Sequence, residues 1–300
     1  MVGAVKFRWV LISLGGLVGL VVVVACVLYA VSARKLSAKH DVPAETELVI
    51  PSDSASIARG AHLVGARPCG MCHGADLGGN VFADAGPFAL LAGPNLTRGR
   101  GGRNPSLTDA EWERAIRHGV RRGGTSLVVM PSEAFHDIAD DQMAAMIAYL
   151  KQIPPVDREV PPTTVRIVGR MVLGAGQFQT TAAMTPRTPH AASVDTTPGV
   201  EYGKYLVGIS GCRLCHGESL SGGQAFNANS KPPSNITPTG IGHYAEEDFK
   251  RALRTGERPH GGGKLSEEMP WKYFGTMTDG ELQSIWLFLK TVPPKQFGQK

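Results

Sequence analysis

Two short stretches of this chain combine residue types and spacing that can do chemistry, Cys69-Gly70-Met71-Cys72-His73 and Cys212-Arg213-Leu214-Cys215-His216. Thiols three residues apart stand about one helical turn apart, so both can add to vinyl groups of one porphyrin. The histidine that follows then lies under the iron and supplies the proximal nitrogen. The pattern predicts two covalently bound haems c, attached through Cys69, Cys72, Cys212 and Cys215, with His73 and His216 as iron ligands. Four of the five cysteines are used in this way. Paired cysteines have two other common uses. One structural zinc site would take all four thiolates, which leaves both histidines as coincidences. A thioredoxin-like redox pair belongs beside a βαβ pattern, and none surrounds either copy.

The second axial position calls for another donor. Met130 and Met269 are each followed by proline, which restricts the backbone and favours an extended approach of the thioether to the iron. A Met/His pair raises the reduction potential and closes the iron to outside ligands, a combination suited to carrying single electrons. The other methionines fit other roles. Met143 and Met146 share a helix face and read as core. Met71 lies inside its own attachment loop, and Met171 and Met184 fall between the two motif-bearing regions. Met277 competes with Met269, but a helix opens directly after it. His62, His118, His136, His243 and His260 read as surface or pocket residues. Asn95-Leu96-Thr97 and Asn235-Ile236-Thr237 fit the glycosylation sequon, yet their shared place suggests hydrogen bonds to a haem propionate. Arg98, Arg100 and Arg103 are candidates for the same propionates, with a solvated loop as the alternative.

The elements that must position these residues occur twice. Gly60 precedes Cys69 by nine positions, and Gly203 precedes Cys212 by nine. The offset between copies is 143 at the first cysteine, 140 at the asparagine, and 139 at Met130/Met269 and at Pro154-Pro155/Pro293-Pro294. Small losses in loops between matched landmarks describe a duplicated domain. Helices are expected over 57–65, from the Thr108/Glu111 capping box to about His118 with Gly119 as the stop, over 142–151, and from the Thr278/Glu281 capping box onward. The organisation expected is an anchor and tether over 1–40, a first domain over 41–155, a linker of uncertain order over 156–199, and a second domain over 200–300. Residues 66–102 read as a glycine- and proline-rich loop.

The formal charge of +5 does not describe a nucleic-acid footprint. Residues 1–40 carry +5, residues 41–153 carry −3, residues 154–200 carry +1 and residues 201–300 carry +2, so the excess flanks the apolar N-terminal segment. That segment, Trp9 to Val31, runs 23 residues without a charge, long enough to span a bilayer, with Trp9 and Tyr29 near its ends. A cleaved signal ending near Val31-Ser32-Ala33 and a lipoprotein signal at Val23-Val24-Ala25-Cys26 are the alternatives to a retained helix. Basic residues flank both ends and do not orient it. Covalent haem attachment in bacteria takes place outside the cytoplasm, which puts the motif-bearing bulk on the outer, periplasmic side of the cytoplasmic membrane.

Several runs resemble the bacterial membrane-anchored di-haem cytochromes c built from two class I-type domains. They are Ala58-Arg59-Gly60-Ala61, Ala115-Ile116-Arg117-His118-Gly119, Asn235-Ile236-Thr237-Pro238, Ala252-Leu253-Arg254-Thr255-Gly256 and Met269-Pro270-Trp271. The second half is also similar to the cytochrome subunits of membrane-bound alcohol and gluconate dehydrogenases, which carry three haems where this chain has two motifs. The resemblance implies an all-α fold, two tandem class I cytochrome c domains after one transmembrane helix, with terminal helices crossing in each domain and an exposed haem edge. The expected role is that of an electron carrier, not an enzyme. It would work between a dehydrogenase or quinol-linked donor and a terminal acceptor, alone or as a fixed subunit, with a di-haem peroxidase as the catalytic alternative. Redox proteins and the membrane are the expected partners, and nucleic acid is not.

Overall fold

The computed structural model describes residues 2–42, 48–223, 225 and 230–300, with side chains from residue 8 onward. Helix α1 (Val2–Ser37) is long and apolar, its stretch from Arg8 to Ser37 is long enough to cross a membrane, and the most apolar part of that stretch is not covered by the rest of the chain. It runs past Val31 into the segment expected to be a loose tether. Lys39 then bridges to Thr125, and the His40 amide donates to the Gly124 carbonyl at 2.9 Å.

The first half is built on α2 (Ser54–Gly65), α3 (Cys69–His73), α4 (Asp109–His118), α5 (Ser132–Phe135) and α6 (Asp140–Leu150). Asp53 caps α2 by accepting the Ser56 amide. The expected capping box of Thr108 and Glu111 opens α4, and Gly119 closes it at φ 64°, a left-handed conformation that suits glycine. Helices α2 and α6 cross at Gly60, where an added Cβ would fall 1.9 Å from the Ala145 carbonyl oxygen.

Between α3 and α4 the expected all-α fold needs correction. Strands β1 (Asn80–Asp84) and β2 (Ala89–Gly93) form an antiparallel hairpin, and β3 (Thr164–Val165) extends it to three strands in the order β1-β2-β3. The hairpin is short and only half-buried, so it lacks the clean alternation that marks a strand in sequence. Its turn carries Gly86 at φ 52° before Pro87.

Residues 156–199 are also more ordered than a linker. After β3, α7 (Ile167–Gly174) packs along the C-terminal part of α1, with Arg170 over the Tyr29 ring at 4.7 Å and the Lys35 Nζ donating to the Leu173 carbonyl at 2.8 Å. A short α8 (Thr181–Met184) follows and packs on α5.

The second half repeats the scheme with α9 (Val200–Ile209), α10 (Cys212–His216), α11 (Pro238–Ile241), α12 (Glu246–Thr255), α13 (Trp271–Phe274) and α14 (Asp279–Thr291). The Thr278/Glu281 capping box opens α14 as expected. Helices α9 and α14 cross at Gly203, where a Cβ would meet the Ser284 carbonyl oxygen at 1.8 Å. One apolar core runs through both halves, from Leu63, Met143 and Ile147 to Leu206, Leu282 and Leu289.

Candidate haem-attachment sites

The motif helices α3 and α10 are single turns that follow α2 and α9, and the chain leaves each through a positive-φ glycine, Gly74 at 79° and Gly217 at 77°. The next turn is also duplicated. Leu77 and Leu220 take left-handed conformations at φ 56° and 61°, unusual for a branched side chain. Their carbonyls accept the amides of Leu96 and Ile236, each at 2.9 Å.

This turn brings a backbone carbonyl to each histidine. His73 Nδ1 stands 2.9 Å from the Pro94 oxygen, and His216 Nδ1 stands 2.7 Å from the Ser234 oxygen. A carbonyl can only accept, so Nδ1 carries the proton and Nε2 keeps its lone pair for a metal. Burial pushes both imidazoles below their usual pKa, against the pull of the carbonyl bond, and so favours the neutral ligand form. Burial also pushes the Cys69 thiol up to about 11 and the Cys212 thiol to about 12, with Cys72 and Cys215 raised in the same direction. The four thiols do not form a zinc centre: among the described residues, one group of three ligand-type side chains converges within 4.8 Å, and it is Glu113, Asp140 and His190. Arg117 already occupies that group, with its Nε 3.0 Å from Glu113 and its Nη2 3.0 Å from Asp140.

In the second half Cys212, Cys215, His216 and Met269 line one cavity of about 980 Å³, walled by apolar side chains such as Ile241, Phe249, Leu253 and Phe274. A void of that size fits a large flat ligand. Met277 lines it too and is buried. Its repeat counterpart is Ile138, whereas the counterpart of Met269 is Met130, which packs against the first half's core. Met143 and Met146 are buried in the core, as expected.

Two arginines missed by the motif reading tether the segments after the methionines. Arg117 donates to the carbonyls of His136 and Ile138 at 2.8 and 2.5 Å and pairs with Asp140. Arg254 donates to the carbonyls of Gly275 and Met277 at 2.9 and 3.3 Å and pairs with Asp279 at 2.6 Å. Each stands two residues before the glycine that ends its helix, and that spacing was the available signal.

Asn95, Thr97, Asn235 and Thr237 do a different job from the one expected. Asn95 Nδ2 donates to the Val156 and Arg158 carbonyls at 2.7 and 3.1 Å, and Asn235 Nδ2 donates to the Lys295 carbonyl at 2.7 Å. Thr97 and Thr237 accept the amides of Val156 and Lys295. These pairs clamp the chain after each closing helix, and Asn95, Thr97 and Thr237 are too buried for glycosylation. Arg98, Arg100 and Arg103 are exposed. His118 and His136 are buried, on the pocket side of the expectation, and the His136 ring lies edge-on to His118 at 5.6 Å and to His190 at 6.3 Å.

A helix-crossing pair, a one-turn Cys-x-x-Cys-His helix and a carbonyl-oriented histidine define a cytochrome c domain, and residues 57–154 match the family described as cytochrome c. Over most of its length the chain is similar to cytochrome subunits of dehydrogenases. It is 27% identical over 275 residues to the alcohol dehydrogenase (quinone) cytochrome c subunit of Gluconacetobacter polyoxogenes, covering 81% of this chain and 57% of that protein. It is 25% identical to the fructose dehydrogenase cytochrome subunit of Gluconobacter japonicus, covering 80% and 53%. The match to the gluconate 2-dehydrogenase cytochrome c subunit of Pantoea cypripedii is 27%, covering 83% and 62%. The chain thus spans little more than half the length of these curated relatives.

Proposed function

We propose that this chain is a membrane-anchored di-haem cytochrome c that carries single electrons and catalyses no reaction of its own. Cys69 and Cys72 hold one haem over His73, and Cys212 and Cys215 hold the other over His216. Met130 and Met269 close the irons from the opposite side. Residues 41–155 and 200–300 form the two cytochrome c domains, and residues 156–199 join them. The observation that carries this reading is the second cavity, which gathers both cysteines, the histidine and Met269 of the half that lies outside the family match.

The packing of α7 on α1 favours a retained anchor over a cleaved signal, since cleavage near Ala33 would strip away the surface that α7 covers. The haem domains lie on the periplasmic side, where covalent attachment takes place. The named relatives are dehydrogenase subunits, which favours a fixed subunit taking electrons from a dehydrogenase over a free carrier passing them from a quinol-linked donor. A terminal oxidase or another redox protein takes them on.

Intact mass of the exported holoprotein tests the count. Two covalent haems are expected, and changing Cys69 and Cys72 to Ala should remove one and leave the other. Haem extracted by acid-acetone, or a single haem in the wild type, would sink the reading.

A further inference from the structure

The two halves meet through residues that are counterparts in the repeat. His62 and Tyr205 are related by the offset of 143, and Gln142 and Glu281 by the offset of 139. His62 Nε2 lies 2.8 Å from Glu281 Oε2, and the Tyr205 hydroxyl donates to Gln142 Oε1 at 3.0 Å. Each contact is the other with the halves exchanged. Such reciprocity is the mark of an interface built about a two-fold axis, here an approximate one within a single chain.

Counterpart residues also reach the two attachment motifs, at neighbouring and not equivalent positions. Ala134 and Tyr273 are counterparts on α5 and α13, four residues after Met130 and Met269. The Ala134 methyl faces Gly211, where an added Cβ would lie 3.5 Å away, next to Cys212. The Tyr273 ring faces Gly70 between Cys69 and Cys72, where a Cβ would fall 2.7 Å from its hydroxyl oxygen and 3.1 Å from the ring. Burial raises the pKa of the Tyr273 phenol, and Cys69 and Cys72 stand close enough to add to that rise. A full aromatic ring therefore stands against the first attachment motif where a methyl stands against the second.

We propose that Tyr273 is the bridging residue between the two iron sites: its ring is the contact across which an electron moves between the iron held by His216 and the iron held by His73. The step needs no other reactant, since one ferrous iron is oxidised as one ferric iron is reduced and no proton moves. The inference rests on the two-haem reading above. Tyr273 starts four residues from Met269, which lines the second cavity, and ends against the first attachment motif. The reciprocal polar contacts hold the two ends in register.

The test uses the half-reduced, full-length holoprotein and reads intramolecular exchange from the broadening of its hyperfine-shifted haem methyl signals by proton NMR. Haem stoichiometry and a redox titration are run on every variant. Tyr273→Phe keeps the ring and should exchange at the wild-type rate. Tyr273→Ala should slow exchange about tenfold or more with both haems bound and both potentials unchanged. Should Tyr273→Ala fail to load both haems, Tyr273→Leu keeps most of the packing and carries the same expectation. Two haems with wild-type exchange in the ring-less variant would overturn the bridging role, as would Tyr273→Phe as slow as Tyr273→Ala. A wild type with one haem would overturn the underlying reading instead, and the stoichiometry separates the two failures.

Discussion

A histidine serves iron through the nitrogen it keeps unprotonated, and in both halves a single carbonyl fixes which one that is. The sulfur proposed for the opposite side is set less directly. Arg117 and Arg254 each hold two carbonyls and a carboxylate in the segment after the methionine, so the methionine loop is tied down from the far side. In the second half two sulfurs line the cavity, and the repeat separates their roles. Met277 stands where the first half has Ile138, so that position needs apolar volume and not a sulfur. Met277→Leu should therefore keep the far-red sulfur-to-iron absorption of the ferric protein. Met269→Ala should remove about half of it, open one iron to carbon monoxide and lower that haem's potential. A tenfold change in the one-electron equilibrium is about 59 mV, well within reach of a redox titration. If Met277→Leu loses the band and Met269→Ala keeps it, the assignment is reversed. At this scale the sequence was most readable where spacing itself is the chemistry, as in Cys-x-x-Cys-His. It was least readable where a polar side chain works through distant backbone. Nothing in Asn95-Leu96-Thr97 announces the Val156 carbonyl and amide that Asn95 and Thr97 engage.

Helices carry the site by crossing closely, and Gly60 and Gly203 are the reason they can. At Gly203 any side chain would drive into the Ser284 carbonyl of α14, whereas Gly208 on the same helix has open space around it. Gly203→Ala should cost about 1–3 kcal/mol through overpacking. Gly208→Ala should be neutral or stabilise by about 0.4–1 kcal/mol by stiffening the unfolded chain. Urea unfolding of the two holoprotein variants checks this, and equal effects would show that the crossing can relax. Both capping boxes and the left-handed helix stop at Gly119 were legible because they are short-range devices. The β1–β2 hairpin was not, since its glycine- and proline-rich surroundings read as loop and its strands bury neither face fully. Helix α7 was legible only as the apolar run Val165 to Leu173, which in sequence suggests packing against a haem domain; it packs instead on α1, more than a hundred residues away in the chain.

The matched offsets could be read from the sequence alone, but the way the two halves meet could not, because His62, Gln142 and Tyr205 look like ordinary surface residues, and Glu281 like a capping residue only, until the halves are brought together. Their interface has unequal chemistry on its two sides. The hydrogen bond to Glu281 raises the His62 pKa, against a smaller opposing effect of burial. Glu281 is pushed up by burial, but the bonds it accepts from His62 and from the Thr278 amide outweigh this and hold its pKa below the ordinary carboxylate value. Buried Arg67 lowers the His62 pKa a little, and Tyr202 lies against the other Glu281 oxygen at 3.4 Å. The counterpart pair is neutral throughout, since burial raises the Tyr205 pKa beyond its ordinary value. For His62 the sign is that of a raised pKa. Its contribution is fully present below the unfolded value of about 6.5 and is lost as pH rises through the folded value above that. For Glu281 the contribution is present above the ordinary carboxylate value and is lost as pH falls through its lowered one. The ion pair therefore holds the halves together in mildly acidic solution and weakens toward the alkaline side. Thermal unfolding of the holoprotein should show the midpoint falling from about pH 6 to about pH 8.5. His62→Gln should remove that component of the fall, and Tyr205→Phe should lower the midpoint by a similar amount at both pH values. A His62→Gln protein with the full wild-type pH dependence would place the titrating group elsewhere, and the polar contact between the halves would then be a packing contact only.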